Sequence, residues 1–289
     1  MTSQIKNPPI DVLMCVGPRD VGRLFPYSLQ SCVNRFECLN NIVIVTPVKN
    51  DVLNVLSQNK AWLAEANIVV LDDHDVLSER LLEWPSWCKQ QVIKLHADTL
   101  CTTPVVACLG ADTIIFNRIN ASHLFSDSAP ILYYNRYTHT SKHLAYERCR
   151  VEHVARLLRV PPTRSWELGD FIMDFMLFES ARLRELREYL GKLYGSEAFF
   201  HILPKQCDTI EQKVVFGEWT LYAVFLLDVL NARVPVQNSD NRFIAQVHSE
   251  NELNNFHFNA SAVHFVDKSI DLSRVIKIIE ECDRSERTR

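Results

Sequence analysis

VVACLGADTIIF, residues Val105 to Phe116, is an apolar run broken by one acidic residue, Asp112. Its apolar residues are continuous and do not alternate with polar ones, so it reads as a strand, or a strand pair, covered on both faces. A carboxylate in such a run is costly unless it is paired or bound to a metal. In open α/β sheets, ligand chemistry collects at the carboxyl ends of strands, and Asp112 follows VVACL at such an end. The residues alone leave two readings open. Asp112 is a turn residue capping Thr113 and Ile114, or it is a hard oxygen ligand for a divalent cation, Mg²⁺ or Mn²⁺, that bridges a diphosphate.

Similar runs lie upstream. DVLMCVG (Asp11 to Gly17), NIVIVTP (Asn41 to Pro47) and NIVVLDD (Asn67 to Asp73) read as strands. Between them, LFPYSLQSCVNRF (Leu24 to Phe36) and SWCKQQVIKLHADTL (Ser86 to Leu100) read as helices, and DVLNVLSQNKAWLAEA as helical or mixed. Strand–helix alternation of this kind predicts an α/β sandwich with a largely parallel sheet. The second half is less regular. APILYYN and DFIMDFMLFES read as strands. Lys142 to Val160, ARLRELREYLGKLYG and GEWTLYAVFLLDVLNAR read as helices, and SAVHFVDKSIDLSRVIKIIEEC as a strand leading to a terminal helix. No repeat or linker divides the chain, so a single α/β domain over residues 1–289 with an elaborated C-terminal half is expected.

Composition excludes several classes. A net charge of −4 argues against binding driven by phosphate neutralisation, so no nucleic-acid partner is expected. The local basic cluster Arg148, Arg150, Arg156 and Arg159 reads as a solvated helix face. With seven glycines and no G-x-G-x-x-G or G-x-x-x-x-G-K-S/T, neither a dinucleotide oxidoreductase nor a P-loop NTPase is indicated. Nine cysteines without a C-x-x-C suggest reduced thiols and no structural zinc. No apolar stretch approaches the roughly 20 residues of a membrane span, and MTSQIKNPPID has no signal-peptide core. A cytoplasmic protein is expected.

In order and spacing, IVIVTP (Ile42 to Pro47), WCKQQVIKL (Trp87 to Leu95), LGADTIIF (Leu109 to Phe116), FIMDFMLF (Phe171 to Phe178) and GEWTLYAVFLL (Gly217 to Leu227) resemble a nucleotide-sugar-dependent glycosyltransferase of the GT-A type, and more narrowly the DUF6492-like bacterial glycosyltransferases. The resemblance spans roughly residues 10 to 265. It implies a Rossmann-like GT-A sandwich whose residues 1–120 bind the nucleotide sugar and whose residues 121–289 bind the acceptor. It also implies sugar transfer to a hydroxyl of a saccharide or lipid-linked glycan, as in polysaccharide biosynthesis, and so allows peripheral membrane contact. The family motif is usually D-x-D; here it reads Gly110-Ala111-Asp112, so one carboxylate is missing. An inactive sugar-nucleotide-binding or scaffolding protein is the alternative.

The resemblance also assigns roles. Gly17, Pro18, Arg19 and Asp20 after the first strand would hold base, ribose and phosphate, although Gly-Pro is also plain turn punctuation. Gln91 and Lys94 share a helix face, and Lys94 would offset diphosphate charge. Asp112 would hold Mn²⁺ or Mg²⁺, with His248 or His264 completing the shell. Asp174 breaks its own apolar run as Asp112 does, and Glu218 opens a helix where a carboxylate is favoured by the dipole. Either would act as general base toward the acceptor in an inverting transfer. Trp166, Trp219, Tyr133 and Tyr134 would offer stacking surfaces for sugar rings, or pack in the core.

Overall fold

The computed structural model describes residues 8–63, 66–136, 141–171, 174–203, 216–239, 243–247, 249, 252–253, 261–265 and 270–287. In chain order its strands are β1 (Ile10–Cys15), β2 (Leu39–Thr46), β3 (Asn67–Asp72), β4 (Val105–Leu109), β5 (Thr113–Ile115), β6 (Phe125–Ser126), β7 (Ala129–Pro130), β8 (Leu132–Tyr134), β9 (Phe175–Glu179), β10 (Val236–Asn238), β11 (Ile244–Val247) and β12 (Ala262–Phe265). The main sheet has five strands in the order β3-β2-β1-β4-β9. The first four run parallel, and β9 pairs antiparallel with β4.

The continuous apolar runs have the expected cause. Along β1, Leu13 and Cys15 pack into one core cluster while Ile10, Val12 and Met14 pack into the other. β4 divides in the same way, with Val106 and Cys108 on one side and Ala107 and Leu109 on the other. Side chains alternate across a strand, so both faces must be apolar when both are covered. One face carries the helices Ser86–Leu95, Ser180–Tyr194 and Glu218–Val224, through residues such as Val92, Leu186 and Leu221. The other carries the helix Phe25–Arg35, which inserts Phe25, Leu29 and Cys32.

Of the two readings of the run Val105 to Phe116, the strand pair holds: it is two strands, in two different sheets, and Asp112 lies in the turn between them. Two other readings are corrected. Asp174 precedes β9 and does not interrupt it. The helix read through Leu100 is broken at His96, whose ring nitrogen Nδ1 meets the carbonyl of Val92 at 2.9 Å.

The second sheet was not evident in the sequence. It has the order β11-β12-β5, with β11 and β12 parallel and β12 and β5 antiparallel. A third core cluster, containing Ile114, Val263, Phe265, Val275 and Ile279, packs this sheet against the C-terminal helix Leu272–Arg287. The chain therefore crosses from one sheet to the other at residues 110–112.

Arg150 is also corrected. It is 6% exposed and donates to Asp170 at 2.6 Å, so it is not part of a solvated face. Among the described residues, no helix is long and apolar enough to cross a membrane.

Candidate active site

β1 and β4 are parallel neighbours, so Cys15 and Leu109 end on the same edge of the sheet. A cavity of about 310 Å³ opens over them. Its walls are the turn Gly110-Ala111-Asp112, the helix Ser86–Leu95 through Trp87, Gln90, Gln91 and Lys94, and the start of the helix Glu218–Val224 through Glu218 and Trp219. Asp20, Asp174, Gly217 and His264 complete it.

Backbone pairing explains the convergence. The turn after β4 is closed by Thr113 N–H donating to the carbonyl of Gly110 at 3.1 Å. Antiparallel pairing of Leu109 with Phe175 sets Asp174 beside Gly110, whose N–H donates to the Asp174 carbonyl at 2.8 Å. Antiparallel pairing of Thr113 with His264 brings the imidazole to the same place, and Phe265 N–H donates to the Asp112 carbonyl at 3.1 Å. Three distant segments thus deliver two carboxylates and one imidazole.

His264 lies between the carboxylates. Its Nε2 is 3.4 Å from Asp112 Oδ2, and its Nδ1 is in ion-pair contact with Asp174 Oδ2. Burial pulls the imidazole pKa down, but the charges and hydrogen bonds of Asp174 and Asp112 more than offset that and lift it to about 10. Asp174 Oδ2 and His264 Nδ1 are buried and partner each other, while Thr113 Oγ1 nearby is buried with no hydrogen-bond partner. Asp112 Oδ2 and His264 Nε2, one carboxylate and one imidazole nitrogen, are donors of a kind that Mn²⁺ accepts, whereas Asp174 faces the other ring nitrogen.

Across the cavity Lys94 Nζ donates to Glu218 Oε1 at 2.7 Å and lies 4.4 Å from the centroid of the Trp219 ring. Their side chains are 13% and 3% exposed, so water screens the pair little. Burial would lower the Lys94 pKa, but the Glu218 charge raises it instead. Gln91 serves the scaffold here, its Oε1 accepting from Glu218 N–H at 2.9 Å.

Other expected residues are dispersed. Gly17 and Pro18 line a separate cleft of about 20 Å³ that shares Cys15 and Gln90 with the main cavity. Asp20 reaches the cavity, whereas Arg19 is exposed and does not line it. His248 lies outside the described residues. Of the four aromatics expected to stack on sugar, Trp219 alone lines the cavity; Tyr133 stacks on Phe243 in the core, and Trp166 meets Arg148. Trp87 and Cys15 also line it, and neither stands out in the sequence.

A second group, Asp72, Asp73 and His74, brings ligand atoms within 4.8 Å of one another at the end of β3. Its carboxylates have other tasks. Asp73 pairs with Lys89 at 2.8 Å, and Asp72 caps the following helical turn by accepting from His74 N–H.

Comparison with known proteins now places the chain. The family described as "Family of unknown function (DUF6492)" matches residues 24–272. The chain belongs to the DUF6492 family. No curated protein matches this DUF6492 member. Solved structures do. An active-site mutant of LgtC has a TM-score of 0.54 at 9% identity, covering 96% of each chain. The galactosyltransferase LgtC in complex with donor and acceptor sugar analogs has a TM-score of 0.51 at 9% identity, again covering 96% of each. Apo mouse xyloside xylosyltransferase 1 has a TM-score of 0.50 at 13% identity, covering 91% of this chain and 100% of that one. The fold of this DUF6492 member is therefore the GT-A fold, a mostly parallel sheet flanked by helices.

Proposed function

We propose that this chain is a glycosyltransferase that moves a sugar from a nucleotide-diphosphate sugar to a hydroxyl of a saccharide or lipid-linked glycan. The observation that carries the reading is the meeting of Asp112 and His264 at the carboxyl edge of β4, in one cavity with the buried Lys94–Glu218 pair. Four acidic side chains line this cavity, Asp20, Asp112, Asp174 and Glu218, against Lys94 and His264. A diphosphate does not enter so acidic a space favourably without added positive charge. That excess supports a divalent cation, Mn²⁺ or Mg²⁺, held by Asp112 and His264, and neutral His264 is the form that ligates. When bound, such an ion supplies Lewis-acid stabilisation of the departing diphosphate.

The chain's own residues do the rest. Lys94 meets the diphosphate as a point charge. To do so it turns from Glu218, which is then left as a buried carboxylate without its cation. In this reading Glu218 takes the acceptor proton if the transfer inverts the anomeric centre. Trp219 and Trp87 give the cavity flat walls suited to a sugar ring. Asp20, on the cavity wall, accepts from a ribose hydroxyl in this reading. Arg19, turned to solvent, is given no role.

A thermal-shift panel of UDP, GDP, CMP and dTDP sugars, with and without Mn²⁺ or Mg²⁺, tests the reading. Ligand binding to the native state raises stability by about 2.7 kcal/mol at a hundredfold excess over the dissociation constant. A metal-dependent shift with one nucleotide class, lost in Asp112→Ala, is expected. No shift with any donor in either condition overturns it.

A further inference from the structure

We infer that Asp174 is a positioning residue: by accepting from His264 Nδ1 it holds the imidazole with Nε2 toward Asp112, and so offers that nitrogen to the cation. This deepens the proposed function and rests on its metal-dependent reading.

The strand pattern aims His264 at the junction of the two sheets. Val263 and Phe265, its neighbours on β12, pack into the third core cluster. Side chains alternate across a strand, so His264 leaves by the opposite face. Ala262 shares that face and packs into the cluster that holds Leu109 and Phe175. His264 thus reaches the cavity at the end of β4, beside Asp112 and Asp174.

Reaching the cavity does not decide which ring nitrogen is offered there. A neutral imidazole carries one N–H and one lone pair, and the hydrogen bond made at one nitrogen sets the role of the other. The two nitrogens have different partners here. Nδ1 contacts Asp174 Oδ2, and Nε2 lies 3.4 Å from Asp112 Oδ2. A carboxylate on Nδ1 keeps the proton there, which leaves the lone pair of the neutral ring on Nε2. Metal-ligating imidazoles commonly have such a carboxylate on the far nitrogen, where it fixes the ring and raises its basicity as a ligand.

Both members of the pair are anchored by backbone. The Asp174 carbonyl accepts from Gly110 N–H at 2.8 Å, and the next residue, Phe175, is in register with Leu109. His264 is in register with Thr113. The strands on either side of the 110–112 turn therefore set the ring's orientation. Asp174 acts through His264, in place of the general-base role that its sequence context suggested, because the oxygen it would use already accepts from Nδ1.

The test uses the full chain and the variants Asp174→Ala, Asp174→Asn, His264→Gln, and Asp174→Ala combined with His264→Gln. Circular dichroism checks the fold of each. Mn²⁺ retained by the protein on ultrafiltration is measured without nucleotide and with UDP or GDP. Electron spin-echo modulation of the bound Mn²⁺ reports whether a nitrogen coordinates it. The unaltered chain is expected to show nitrogen modulation that His264→Gln removes. Asp174→Ala is expected to weaken binding about tenfold or more and to diminish the modulation. Asp174→Asn, whose amide oxygen still accepts from Nδ1, is expected to lose less. With His264→Gln already present, Asp174→Ala is expected to cost nothing further, since a residue that acts through His264 has no effect without it. If Asp174→Ala binds Mn²⁺ as the unaltered chain does, with the modulation intact, this inference fails and the proposed function survives. An equal loss from Asp174→Ala with and without His264 overturns it too, as does bound Mn²⁺ without nitrogen modulation in the unaltered chain. If the unaltered chain retains no Mn²⁺ under any of these conditions, the metal-dependent reading itself falls, and this inference with it.

Discussion

Lys94→Met removes one member of the buried pair in the cavity. Glu218 is then left with its side chain 3% exposed and its Lys94 partner gone; the bond lost is the 2.7 Å contact from Nζ. Gln91 is engaged with the Glu218 backbone, its Oε1 accepting from the Glu218 N–H. Truncating one partner of a buried ion pair costs about 3–5 kcal/mol, most of it from the charge left uncompensated. For a chain of this size that is a fall in melting temperature of roughly 10 °C. Combining Lys94→Met with Glu218→Leu removes both charges and is expected to recover most of the loss, since a well-packed apolar pair often matches a buried ion pair. The methionine also keeps an apolar stem against the Trp219 ring. Urea denaturation of the four proteins of this cycle, at neutral pH and without metal, gives the coupling directly. Additive effects, or a loss under about 1 kcal/mol for Lys94→Met, would refute the picture of a dry, paired site.

Three further outcomes are expected. Asp11 is fully buried; burial raises its pKa, but hydrogen bonds from Thr102, Asn40 and Asn41 more than offset this and hold it below 3.8. Its folded-state value is depressed, so its stabilisation is present above pH 3.8 and is lost as pH falls through the folded value; in acid titrations of stability, Asp11→Asn should lack this component. Phe178 is fully buried, with its ring edge-on to Tyr222 at 4.8 Å, and Phe178→Ala should cost about 3–5 kcal/mol by chemical denaturation. Arg19→Ala should leave nucleotide affinity unchanged in calorimetric titration because Arg19 is exposed and off the cavity wall, whereas Asp20→Asn, on the wall, should weaken it.

The main sheet was legible in the sequence because strands covered on both faces carry unbroken apolar runs, Val12 to Cys15 in β1, Ile42 to Val45 in β2 and Val105 to Leu109 in β4. The second sheet was not legible. β5 has three residues, β11 and β12 four each, and runs that short carry no periodicity of their own. Asp112 and Asp174 stood out as acidic residues next to apolar runs. Their true neighbours are fixed by antiparallel pairings across long sequence separations, which no local pattern reports. The same limit hid the Lys94–Glu218 pair, whose members are 124 residues apart. Gly110 looked like a loss, and only the space around it shows that Thr113 Oγ1 and Asp112 Oδ1 leave a side chain no room there.

The central claim is that the cavity cleaves a donor and does not merely hold one. The most direct measurement is release of nucleoside diphosphate from the donor that the thermal-shift panel selects, with Mn²⁺ and with chelator. Steady turnover that requires the metal and disappears in Asp112→Ala is the expected result. A donor that binds in a metal-dependent way yet is never cleaved, with water or with saccharide acceptors, would contradict the claim and leave a sugar-nucleotide-binding protein on a glycosyltransferase fold.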